Sequence, residues 1–127
     1  MKTHATIALS VLAGVAIGAT AVQTLHAQAK PPAFVVGEIN VTNAEAYQKE
    51  YVLPAVKAIV DGGGKYVVRG GKVAGLYGEP PKLIAIMAFE SLEKAQATFD
   101  SAAYKEAKKA GDKYATFRIY AVEGLVQ

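Results

Sequence analysis

Cysteine is absent from the 127-residue chain, and its two histidines, His4 and His26, both fall within the first 29 residues. Those residues read as a secretory leader. Lys2 supplies the positive start, residues 7–22 carry no charge, and Ala27-Gln28-Ala29 has the small-x-small pattern that a signal peptidase accepts. Cleavage after Ala29 leaves a domain with neither Cys nor His. That composition excludes disulfides, a lipidated N-terminus, Ser-His-Asp and Cys-His nucleophilic sites, the usual zinc and copper ligand sets, and a haem held by a proximal histidine. The expected location is periplasmic or secreted. An uncleaved anchor is the alternative, since residues 5–22 approach the length of a membrane span and Gly14 and Gly18 form a G-x-x-x-G; a membrane partner follows only in that case.

Charge of one sign is also scarce. The formal charge of +3 falls to +2 without Lys2, with 13 basic against 11 acidic residues, and the lysines are scattered among carboxylates. No basic run exists to follow a phosphate backbone, so no nucleic acid partner is expected. No cluster of Asp and Glu suggests a metal, and Gly62-Gly63-Gly64 and Gly70-Gly71 lack the context of a phosphate loop, so no cofactor is expected either. Residues 30–32, Lys-Pro-Pro, read as a short stiff tether, and residues 33–127 as one domain of modest core.

Within that domain, residues 33–41 are rich in Val, Ile and Phe and read as a strand, with Val35, Gly37, Ile39 and Val41 on one face and Phe34, Val36, Glu38 and Asn40 on the other. Thr42 with Glu45 fits a capping box for a helix carrying Tyr47, Tyr51, Ala55 and Ile59 at i, i+4; Pro54 predicts a kink or restart near Leu53, and Gly62 to Gly64 the stop. Residues 65–69 form a second strand, broken at Gly70-Gly71 by a bulge or tight turn before further strand at 73–77. Residues 83–89 read as a central, well-buried strand. Ser91 caps a helix with Leu92, Ala95 and Phe99; Ser101 caps another with Tyr104 and Ala107 that ends at Gly111; residues 115–123 alternate as a last strand. The order βαββαβ predicts an α+β, ferredoxin-like antiparallel sheet with both helices on one face.

Such a sheet leaves its far face bare, with Phe34, Val36, Tyr66 or Val68, and Val122 pointing outward. A second copy is the simplest cover, giving a homodimer; the alternative is a monomer whose 70–81 loop folds over that face.

The residues also carry a resemblance. Phe34-Val35-Val36-Gly37-Glu38-Ile39, Tyr47, the block Gly63-Gly64-Lys65-Tyr66-Val67-Val68-Arg69-Gly70-Gly71, Phe89-Glu90-Ser91, Ser101-Ala102-Ala103-Tyr104 and Val122-Glu123-Gly124 resemble the family catalogued as domain of unknown function 1330. The resemblance implies the dimeric α/β-barrel superfamily, whose members include cofactor-independent monooxygenases, muconolactone-isomerase-like enzymes and haem-binding enzymes.

Arginine usage points to a candidate site. Beyond the leader the chain has eleven lysines but two arginines, Arg69 and Arg118, both on expected strands. Arginine suits bidentate recognition of a carboxylate or enolate, and Glu38 lies on the first strand. The candidate ligand-binding set is Glu38, Arg69, Tyr104 and Arg118. In one reading an arginine holds a small anionic molecule while Glu38 or a tyrosine moves a proton; in the other, Glu38 and Arg118 form a structural cross-strand pair and Tyr47, Tyr51 and Tyr104 are helix-core residues. Two classes of function stay open: a small-molecule binder or cofactor-independent enzyme acting on an anionic or aromatic molecule, and a non-catalytic dimeric scaffold.

Overall fold

The computed structural model describes residues 30–126; the expected leader at 1–29 lies outside them. Strand β1 (Ala33–Val41) leads to helix α1 (Ala44–Tyr47), a π-helical turn (Gln48–Val52) and helix α2 (Leu53–Asp61). Strands β2 (Lys65–Arg69) and β3 (Leu83–Phe89), helices α3 (Leu92–Phe99) and α4 (Ala102–Gly111), and strand β4 (Ala115–Glu123) follow. The strands pair antiparallel in the order β2-β3-β1-β4, the ferredoxin-like arrangement.

Period-two alternation places Ala33, Val35, Gly37 and Ile39 of β1 on the helix side, level with Phe89, Met87, Ala85 and Leu83 of β3. The helices close over them with Tyr47, Tyr51, Ala55, Ile59, Ala95, Tyr104 and Ala107, all buried. Pro54 acts where its chemistry demands. It has no N–H to donate and its ring crowds the carbonyl one turn back, so the helix widens into a π-turn and restarts as α2 at Leu53. Ser91 and Ser101 cap α3 and α4, their hydroxyls accepting from the backbone N–H of Lys94 and Tyr104.

Several expectations need correction. The first cap is Asn43, whose side chain accepts from the Ala46 N–H at 3.1 Å; the Thr42 hydroxyl instead donates to the Tyr114 carbonyl at 2.9 Å, tying the end of β1 to the approach to β4. Residues 73–77 form no strand. Gly70, Gly71 and Gly78 hold positive φ there, and the chain runs as an exposed irregular loop with Leu76 and Tyr77 in solvent. In β3 only Met87 and Phe89 are buried: Ile84, Ile86 and Ala88 lie on the face that no described element covers, and Leu83 and Ala85, on the helix side, line an open groove.

The bulge lies at Val67, three residues before the Gly70-Gly71 turn where the sequence placed it. Tyr66 pairs with Met87 and Val68 with Ile86, leaving Val67 as the extra residue. Tyr66 therefore faces the helices, and Val68 joins Phe34, Val36, Ile86 and Val122 on the open face.

Candidate functional site

The bulge decides where Arg69 goes. In a regular strand Tyr66 and Arg69, three apart, would lie on opposite faces. With Val67 looped out, Arg69 pairs with Ala85 on the helix side, and its guanidinium carbon sits 5.2 Å from the centre of the Tyr66 ring. Arg69 makes no ion pair with any described carboxylate.

Around it converge the tyrosines. Tyr47 and Tyr51 come from successive turns of the first helix with rings stacked at 5.3 Å, while Tyr104 comes from α4 and Tyr66 from β2. Tyr51 and Tyr104 meet edge to face, and their hydroxyls share a hydrogen bond of 2.7 Å. Phe117 packs 4.8 Å from Tyr51, and Phe99 4.4 Å from Tyr104. The backbone of α4 approaches this cluster so closely at Gly111 that a Cβ there would lie 2.5 Å from Tyr51. Between the rings and the sheet is a cavity of about 50 Å³ bordered by Tyr47, Tyr51, Tyr66, Arg69 and Tyr104. It adjoins an open groove of about 620 Å³ between the first helix and the β2–β3 side of the sheet, and Tyr47, Val56 and Arg69 line both.

The electrostatics follow from burial. Desolvation disfavours phenolate, pushing Tyr47 and Tyr104 up to about 12 and Tyr51 higher still, with the neighbouring phenols adding to the effect on Tyr51. Burial raises Tyr66 as well, against the opposing pull of the Arg69 charge. At neutral pH the cavity therefore offers one guanidinium and protonated phenols: donors for an anion, with no basic group among these lining residues.

The four candidate residues do not form one site. Arg69 and Tyr104 share the helix-side cavity, whereas Glu38 and Arg118 face each other across β1 and β4 on the open face. There the expected cross-strand ion pair is not made. Glu38 accepts from the Tyr120 hydroxyl at 2.7 Å, and Arg118 lies over the Tyr120 ring at 5.9 Å. Tyr66 is not legible as a site residue because only the bulge fixes its face; Tyr47 and Tyr51 are core residues, as their helical stripe predicts, and also border the cavity. Among the described residues no group of His, Asp or Glu could hold a metal ion, and no helix is long and apolar enough to cross a membrane.

A β2-β3-β1-β4 antiparallel sheet covered on one side by helices is a ferredoxin-like α+β fold. The chain belongs to the DUF1330 family, a domain of unknown function, whose model matches residues 32–125. Among solved structures it is similar to a protein of unknown function from Rhodopseudomonas palustris (19% identity, TM-score 0.63, covering 85% of this chain and 94% of that one). It is also similar to SnoaB, a cofactor-independent oxygenase from Streptomyces nogalater (9% identity, TM-score 0.55, 76% and 96%). A third likeness is to a conserved protein from Bacteroides thetaiotaomicron described as a possible oxidoreductase (12%, TM-score 0.52, 76% and 100%). At these identities the likeness is one of fold. No curated protein matches the sequence.

The phenol environment is directly measurable. Unfolded tyrosine loses its proton near the ordinary value of 10.0, while Tyr47 and Tyr104 hold theirs to about 12. Between those values the unfolded chain binds fewer protons than the folded one, so stability intact below pH 10 falls as pH rises towards 12. Ultraviolet titration of the seven tyrosines should resolve a late-ionising group that merges with the rest in denaturant. A single ionising class in the folded protein would contradict the cavity.

Proposed function

We propose that the domain binds a small aromatic or enolisable anion where the cavity between helices and sheet opens into the adjoining groove, its charged end towards the cavity, and acts on it without a cofactor. The observation that carries this reading is Arg69, a guanidinium without a carboxylate partner placed at a cavity bordered by protonated tyrosines. Arginine and phenol donors aimed at one spot stabilise an oxyanion or enolate more than its neutral parent, since charge-assisted hydrogen bonds strengthen away from bulk water. With no base among the cavity residues, the ligand enters as a preformed anion of an acidic carbon or phenol. Such a delocalised anion can pass one electron to dioxygen and combine with the superoxide formed; the peroxide anion then takes a proton from a tyrosine, which solvent restores, giving R⁻ + O₂ + H⁺ → R–OOH. The fold likeness to a cofactor-independent oxygenase supports this class of reaction.

Two further features belong to the same reading. The bare sheet face, carrying Phe34, Val36, Ile86 and Val122, is suited to a second copy of the chain, which would enclose it as a homodimer. Export of the domain rests on the leader-like pattern of residues 1–29. Lysine in place of Val36 would set an unpaired charge in that interface, and a dimeric parent should become monomeric at micromolar concentration. A monomeric parent would remove the dimer.

The site itself is tested with Arg69→Met. Arg69 is exposed and without an ion pair, so the empty variant should match the parent's stability within about 0.5 kcal/mol. A bound anion at one hundred times its dissociation constant should stabilise the parent by about 2.7 kcal/mol and leave the variant unmoved. Thermal melts with and without benzoate and enolisable dicarbonyls provide the comparison. No response in the parent, or equal responses in both, would favour the scaffold reading instead.

A further inference from the structure

The cavity and its groove are mismatched in size. About 50 Å³ has room for one or two waters or a small polar head, whereas the adjoining groove of about 620 Å³ could take a drug-sized body. The groove is also apolar for a structural reason. Beside the buried stripe of Tyr47, Tyr51, Ala55 and Ile59, the first helix carries a second stripe at i, i+4, Val52, Val56 and Val60, with Leu53 alongside. Among the described residues no element covers that stripe: Leu53 is 68% and Val60 54% exposed. Leu83 and Ile84 of β3 line the opposite wall. The rim charges Lys57 and Asp61 are engaged with each other at 2.8 Å, so Arg69 is the lining cation without a carboxylate among the described residues.

We infer that the natural ligand is an amphiphilic anion. Its acidic head sits at Arg69 and the phenols, and an apolar chain of several carbons lies along the groove against Val52, Val56, Val60 and Leu83. The inference rests on the anion-binding reading of the cavity and adds the class of the ligand's body. A second groove of similar size, between α3 and β4, has no cation among its lining residues and so lacks an anchor for the same head group.

Calorimetric titration of the purified protein with straight-chain carboxylates from acetate to decanoate, kept below micelle-forming concentrations, tests it, with benzoate and neutral decanol as comparators. Affinity should rise about twofold to fourfold per methylene as the chain buries, then level off once the groove is filled. Decanol should bind at least tenfold more weakly than decanoate. Val60→Glu or, independently, Leu53→Glu should flatten the dependence on chain length. If benzoate binds through Arg69 but affinity is the same for short and long chains, the amphiphile is wrong and the anion site stands. If neither class binds, the anion site itself fails. A steep length dependence that persists with decanol and in both glutamate variants means non-specific partition and overturns the inference.

Discussion

One looped-out residue sets the chemistry of this domain. Side chains on a strand alternate strictly, so a residue withdrawn from the ladder reverses the facing of everything beyond it. Val67 does this in β2, bringing Tyr66 and Arg69 to the helix side together, where the ring and the guanidinium touch. Without that irregularity Arg69 would join Glu38 and Arg118 on the open face, and the cavity would hold phenols without a cation.

The rest of the site is built on rigid neighbours. Tyr47, Tyr51, Tyr104, Phe99 and Phe117 form a continuous ring cluster in which edge-to-face and stacked contacts fix each orientation, so the hydroxyls are held rather than free to turn away. The π-turn forced by Pro54 separates the two halves of the first helix, and the turn itself carries Tyr51 and Val52, one on the buried stripe and one on the groove stripe. Helix form, aromatic packing and site geometry are here consequences of a few residues. Burial of the phenols then supplies the electrostatics, since desolvation keeps them as donors beside the Arg69 guanidinium.

Much of the frame could be read from sequence. Alternation in residues 33–41 and 115–123, the serine caps and the Pro54 restart each follow from a local rule and appear in the structure as expected. The misses have physical causes. Thr42 and Asn43 are both good caps, and the choice fell to Asn43 because the Thr42 hydroxyl is used on a carbonyl 72 residues away. A bulge leaves no compositional trace, so neither the face of Tyr66 nor the division of Glu38, Arg69, Tyr104 and Arg118 between two faces was legible. The helical stripe of Val52, Val56 and Val60 was visible, but nothing in the sequence says whether such a stripe is covered or left as a groove.

Exchanging the two residues at the end of β2, Val68→Arg with Arg69→Val, keeps composition and charge while asking which position faces the cavity. With Val67 bulged, the exchange moves the guanidinium to the open face, and benzoate binding should disappear while the fold, followed by circular dichroism and melting, is retained. Binding by the exchanged protein at the parent's affinity would mean that β2 is regular, that position 68 faces the helices, and that the site described here is wrongly built.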